Sequence, residues 1–464
     1  MRILSTKYFL NVATIISLAL AGLALVGCEG PFAGKRAENA ELVNGPFQMK
    51  IQMISGVEYL VVLNTNYRFQ AANGSLHFYS LSNSAQPVKA TNLVSVSVPS
   101  NASDFEIVDG AVPSIYLLNR NSNEVWIYDL EGSAFSRRAG TDGEAIAIKA
   151  PENPGSILSY TRADVGLVFA ITGQRSGIVG LLSKDSLTYL NPASLASPIA
   201  SPDSTRLMGT DVYGSRFYME ARQTQVGVRD DRIGVSSSRR LGIGIIASKY
   251  LGDANETIVS INGLQNAFYS FQFLTFLNNS NFTWDLADWR SSFTLPSGVR
   301  RRGTGEDGFR GLDVDGNMNA YVSNRADNSI YKIPYVGGID LAKTGTRNTT
   351  GFDRNVQGFR FPIDFDPDVT DKVYPRIGSL IVDPAPNADA TLAWVVGLGE
   401  GVVYRVDLVG NTFIKQRVGE VPQRILGLEN AGTYQQIYVA NTKSDTITVL
   451  DPTTLGVVGE ILSP

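Results

Sequence analysis

From Pro46 onward, short runs of Val, Ile, Tyr, Phe and Thr alternate with clusters of Gly, Asn, Asp, Ser and Pro. That is the patterning of strands and tight turns. No long stretch repeats its apolar positions at the helical period. The pattern therefore predicts an all-β domain over residues 46–464. The 45 glycines, 19 tyrosines and 21 phenylalanines suit a turn-dense β protein. Two earlier segments break the pattern. Residues 1–27 hold the longest uncharged apolar stretch, and Glu29 to Gly45 (EGPFAGKRAENAELVNG) is polar with no strand period.

Within the β region, three segments align over their whole length without a gap. They are Ile115 to Leu130 (IYLLNRNSNEVWIYDL), Ala320 to Tyr335 (AYVSNRADNSIYKIPY) and Ile437 to Pro452 (IYVANTKSDTITVLDP). Tyr116, Tyr321 and Tyr438 share the second place, and Asn119, Asn324 and Asn441 the fifth. Val125, Ile330 and Ile447 share the eleventh. Ala393 to Leu408 is a fourth copy, with an aromatic at the second place and Asp407 aligned with Asp129 and Asp451. Weaker copies begin at Val168 and Leu60. Each unit reads strand, polar turn, strand, with a β-rich segment usually before it and often after it. About four strands per repeat is the content of a β-propeller blade, in which neighbouring repeats bury one another.

The run IYVANTKSDTITVLDPTTLGVVGEI, at the last copy, resembles the YVTN-type repeat of bacterial and archaeal surface proteins and of lactonase-like propellers. The resemblance implies a β-propeller of four-stranded antiparallel blades. Seven blades are favoured, with one near Gly244 to Asn262 filling the long gap between the copies at 168 and 320. Eight is the alternative, with blades near Phe217 and Leu274. Because the chain ends strand-like and Pro46 to Ile54 is also strand-like, one blade is expected to be shared between the two ends.

The N-terminal segment carries Arg2 and Lys7 ahead of its apolar stretch and closes on Leu25-Val26-Gly27-Cys28, which holds the only cysteine. This resembles the lipobox of bacterial lipoprotein signal peptides. The resemblance implies cleavage before Cys28 and acylation of its thiol and new N-terminus. The expected organisation is thus a signal peptide over 1–27, a lipidated cysteine and tether over 28–45, and the propeller over 46–464. Two or three acyl chains anchor stably where one would not. A coil of the tether's length spans about 23 Å. In that family an aspartate after the cysteine favours the inner membrane. Residue 29 is glutamate, so a cell-envelope location at the outer membrane is favoured.

Charge narrows the partners. The chain carries −4 overall, and removing residues 1–27 takes two bases and no acid. Nothing in that balance calls for nucleic acid. One histidine and one committed cysteine exclude most metal sites, Ser-His-Asp triads and thiol chemistry. His77 lies between apolar neighbours on a predicted strand, a structural position. Asp313-Val-Asp315-Gly-Asn317-Met-Asn319 superficially resembles a calcium loop, but lacks the EF-hand glycine and glutamate spacing and reads as a turn. Asp364, Asp366, Asp368 and Asp371 are a weak Ca²⁺ candidate, and no other cofactor is expected. Arg239-Arg240 and Arg300 to Arg302 read as solvated loop charge. The favoured function is a lipid-anchored scaffold binding an envelope protein or glycan. The alternative is a lactonase-like hydrolase using channel carboxylates, with or without Ca²⁺.

Overall fold

The computed structural model describes residues 45–65, 73–151, 153–162, 166–173, 179–187, 208–210, 216–218, 245–252, 257–262, 267–272, 309–325, 328–335, 357–361 and 375–461. Among these residues every regular element is a strand, and every strand pairing is antiparallel. The strands form seven sheets of three or more strands, at 46–98, 102–149, 154–183, 245–272, 309–360, 377–417 and 422–461. We number them blades 1 to 7. Blades 5, 6 and 7 have four strands in simple meander order. In blades 1 and 2 the outer position is split between two short strands, and three strands of blades 3 and 4 are described.

The first strand of each blade touches the first strand of the next, and the strand of blade 7 touches that of blade 1. The ring therefore closes on itself, which makes the fold a β-propeller. This is consistent with the seven-blade reading. Among the described residues the first strands of blades 3 and 4 meet directly. The Phe217 segment lies in a separate two-stranded hairpin, Met208–Thr210 with Arg216–Tyr218, and Leu274 is outside the described residues.

The six aligned copies are the second and third strands of their blades. Their shared residues have shared physical jobs. Tyr116, Tyr321 and Tyr438 are fully buried in the layer between one blade and the next. At the ninth place Asn123, Asn328, Gly401 and Asp445 all take a positive φ, between 52° and 66°. Asn, Asp and Gly tolerate that left-handed conformation best, so the tight turn selects them. Buried Asn441 spans its turn by donating to Thr446 and Thr448.

Apolar residues cluster between consecutive blades rather than in one central mass. Separate clusters join blades 1 and 2, 2 and 3, 4 and 5, 5 and 6, 6 and 7, and 7 and 1. The expectation of a blade shared between the chain ends is not met. Pro46–Ile54 is the first strand of blade 1, and blade 7 draws all four strands from 422–461. Closure comes instead from packing. Met49, Leu60 and Val62 meet Leu428, Tyr438 and Val449, Thr442 Oγ1 donates to Pro46 O at 2.7 Å, and Tyr438 OH donates to Ser84 O at 2.8 Å. Covering both edges this way removes the need for strand exchange.

Candidate functional site

A propeller's first strands surround its axis, so the residues they present define the central channel. All seven first strands carry a register shift near their start: at Pro46/Gln48, Ala102/Phe105, Pro154/Ser156, Ile245/Ala247, Phe309/Gly311, Ile377/Leu380 and Pro422/Arg424. A β-bulge re-aims side chains and sharpens twist. Its recurrence at one end of every blade puts equivalent residues at equal depth.

Two levels follow from the register. Opposite the second place of the repeat stand Lys50, Glu106, Ser159, Lys249 and Asp313, then Ile381 and Leu426 in blades 6 and 7. Nearer the bulge lie Gln48, Asp104, Gly311 and Arg424. Gly311 is required there, because a Cβ would come within 2.7 Å of Gly378 O in the next blade.

The charged residues bridge blades. Lys50 of blade 1 pairs with Glu106 of blade 2 at 2.5 Å and approaches Asp104 at 3.5 Å. Lys249 of blade 4 pairs with Asp313 of blade 5 at 2.9 Å. Glu106 also accepts from Ser159 in blade 3. Asp104 accepts from Gln48 Nε2, Phe105 N and Ile157 N, and Asp313 from Val382 N in blade 6. Burial lowers the Lys50 pKa, but the charges of Asp104 and Glu106 outweigh it and hold the ammonium above its ordinary value. Three carboxylates thus line the wall, and each is engaged by a cation or by several donors.

Arg424 differs from them. Its Nε is out of contact with solvent and has no hydrogen-bond acceptor among the described residues. Burial pulls its pKa down, opposed by the charges of Asp104 and Asp313. A guanidinium stays protonated regardless.

A second recess, about 460 Å³, opens between blades 5 and 6 beside Tyr321, Phe359, Asp389 and Leu408. Lys332 and Asp389 pair across it at 2.5 Å.

Sequence reasoning reached part of this. The Asp313 to Asn319 segment is a strand end and a turn, as expected. Asp315 accepts from Asn317 N, Asn319 N, Asn319 Nδ2, Tyr321 OH and Ala390 N. Asp313, two residues earlier, faces the channel instead. His77 is fully buried, with Ser75 Oγ at 2.9 Å and Ser95 Oγ at 3.0 Å from its two ring nitrogens. Cys28, Arg239, Arg240, Arg300 to Arg302, and Asp364, Asp366, Asp368 and Asp371 lie outside the described residues. Among the described residues no three His, Cys, Asp or Glu side chains are grouped to hold a metal, and no helix is long and apolar enough to cross a membrane. Lys50, Asp104, Glu106, Lys249 and Arg424 were missed. Their signal is a charged residue inside a short apolar strand just ahead of each repeat, as in QMKIQ, DFEIV and QRIL.

Fold and channel together define a β-propeller whose described inner strands carry ion pairs across two seams, between blades 1 and 2 and between blades 4 and 5. No protein-family model matches the chain, and no curated protein matches it. Among solved structures it is similar to a Kuenenia stuttgartiensis hydrazine synthase chain, at 13% identity over 92% of this chain and 100% of that one, with a TM-score of 0.49. A putative 6-phosphogluconolactonase from Bacteroides uniformis is 12% identical over 85% of this chain and 92% of that one, TM-score 0.47. A catalytically inactive virginiamycin B lyase from Staphylococcus aureus is 11% identical over 88% and 94%, TM-score 0.45.

Proposed function

We propose that the protein is a lipid-anchored cell-envelope propeller that serves as a binding scaffold for a protein or other ligand. The observation that supports this over hydrolysis is the occupation of the channel carboxylates. A general base or nucleophile needs lone pairs aimed at substrate. Here Asp104, Glu106 and Asp313 spend theirs on Lys50, Lys249 and main-chain N–H groups of neighbouring blades. They act as staples that hold the wall in place.

The anchor reading rests on Cys28 and its flanking residues, with Glu29 favouring the outer membrane. Gly45 N donates to Asp445 Oδ1 at 2.8 Å, so the chain joins the ring beside the axis, at the blade 7 turn. Gly45 thereby lies on the face that carries the turns between second and third strands.

Two measurements test the reading. Cys28→Ser should abolish incorporation of labelled fatty acid and release the protein from the envelope. Retained label would overturn the lipoprotein assignment. Mature protein assayed against a panel of lactones and aryl esters should show no turnover distinguishable from an Asp104→Asn/Asp313→Asn variant. Turnover that this variant loses while remaining folded would establish the hydrolase reading instead.

A further inference from the structure

We propose that the recess between blades 5 and 6 is a binding site for a neutral sugar unit of a glycan. This deepens the scaffold reading by naming the ligand chemistry, and it rests on that reading.

The recess exists because one turn is short. At three other seams, the turn after the third strand of the next blade covers the aromatic at the second place of the repeat. From blade 1, the turn Leu81 to Pro87 brings Leu81 and Ser84 O onto Tyr438. From blade 7, the turn Asp451 to Gly456 brings Leu455 and Pro452 O onto Trp394. From blade 3, Leu187 packs against the cluster that holds Tyr116. At the seam of blades 5 and 6, only Leu408 to Asn411 link the third and fourth strands of blade 6. Tyr321 OH turns back to Asp315 in its own blade, and Val409 is left 76% exposed. The space left uncovered among the described residues is the cavity of about 460 Å³, a size typical of small-ligand sites.

The wall of the recess is held in place before any ligand arrives. Asp389 stands on the Asp383 to Thr391 turn of blade 6. There Asp383 accepts from Thr391 N and Oγ1, and Pro386 bridges to Gly316 of blade 5. A Cβ at Gly316 would collide with Ala385 O, so this close approach requires glycine. Asp389 Oδ1 accepts from Asn317 and Asn319, and Oδ2 from Lys332.

The chemistry on offer is neutral and two-sided. Lys332 and Asp389 are the charged residues of the lining, and they cancel each other. Lys332 spends one of its three N–H donors on Asp389, and the Asn411 carboxamide makes no hydrogen bond among the described residues. Phe359, Leu408 and Val409 line the rest with carbon. A pyranose meets all of these conditions: its hydroxyls donate and accept, its axial C–H face is apolar, and it carries no charge. An ion would have to break the Lys332–Asp389 pair, and a wholly apolar ligand would strand its polar atoms.

The test uses the full chain purified in detergent. Calorimetric titration with the methyl glycosides of glucose, galactose, mannose and N-acetylglucosamine should show saturable binding of at least one. Asp389→Ala should weaken it about tenfold or more, as loss of a hydrogen bond to a charged group does. Val409→Trp, on the exposed turn, should abolish binding by filling the mouth while leaving urea unfolding unchanged. That variant decides the matter should Asp389→Ala fail to fold. Val457→Trp, on the outer strand of blade 7, should bind as the parent does. No binding of any of the four sugars, or parent-like binding by Val409→Trp, overturns the proposal. Methyl glucuronide or glucosamine binding more than tenfold tighter than every neutral glycoside would overturn the neutral class. Ester turnover in the parent would refute the scaffold reading while leaving this binding result intact.

Discussion

The seam between blades 7 and 1 and the seam between blades 5 and 6 are built on the same tyrosine of the repeat, and they use its hydroxyl differently. At the first, Tyr438 OH crosses to a main-chain carbonyl, Ser84 O. At the second, Tyr321 OH donates at 3.0 Å to the buried carboxylate of Asp315 in its own blade. Burial and that carboxylate both push the Tyr321 pKa upward, whereas for Tyr438 burial dominates. Tyr116, at the seam of blades 2 and 3, buries its ring equally well, but among the described residues its hydroxyl makes no hydrogen bond of good geometry, and only the Arg138 guanidinium stands near it. The ring is common property of the repeat. The hydroxyl's partner is supplied by whichever loop lies opposite, and loops are where the copies diverge.

Removing the whole ring is the largest perturbation. Tyr438→Ala and Tyr321→Ala should each cost about 3–5 kcal/mol in urea unfolding, as large buried aromatics do. A loss within about 0.5 kcal/mol would place the side chain at the surface and refute the packing role. Deleting only the hydroxyl should then separate the seams. Tyr321→Phe is expected to cost about 2 kcal/mol, because a hydrogen bond to a carboxylate is lost. Tyr438→Phe should cost about 1 kcal/mol, the value for a neutral acceptor. Equal losses would mean that Asp315 gains nothing from the tyrosine beyond what its other donors provide. Tyr116→Phe should cost less than either, since it removes a buried hydroxyl whose contact with Arg138 falls short of good hydrogen-bond geometry. A clear loss there would reveal a hydrogen bond that the described geometry lacks.

The smallest effect is one of pH. At blade 2, partial burial raises the Asp129 pKa, but hydrogen bonds from Arg138 and Ser114 and the Arg138 charge outweigh it and leave it below the ordinary carboxylate value. A depressed folded-state pKa adds stability that is present above the unfolded value, near pH 4, and lost as pH falls through the folded one. Asp129→Asn should therefore flatten the acid side of the stability profile slightly. An unchanged profile between pH 5 and pH 2 would show that the pair contributes nothing.

The fold was largely legible because its information is local. Tyr116, Tyr321 and Tyr438 sit where a strand turns its ring into the next blade, and Asn123, Asn328 and Asp445 sit where the turn demands a positive φ. Both constraints recur at fixed spacing, so alignment finds them. The closure of the ring was misjudged for a non-local reason. Strand-like ends suit either a shared blade or two complete blades packed edge to face, and only contacts such as Thr442 with Pro46 distinguish them. The channel charges were overlooked for the same reason. Lys50 lies far in sequence from Glu106, as Lys249 does from Asp313, and nothing near either residue announces its partner.

By itself, the sequence determined that this chain is a β repeat with tight Asn, Asp and Gly turns, and it carries a lipobox-like start whose chemistry awaits the acylation test. Those features follow from backbone conformation and side-chain period, which neighbouring residues control. Tertiary structure alone decided that the first strands meet in a closed ring, that bulges set Lys50, Glu106, Lys249 and Asp313 at one depth, and that Arg424 Nε has no acceptor among the described residues. Charges far apart along the chain acquire meaning only when desolvation forces each to find, or lack, a counter-charge at contact distance.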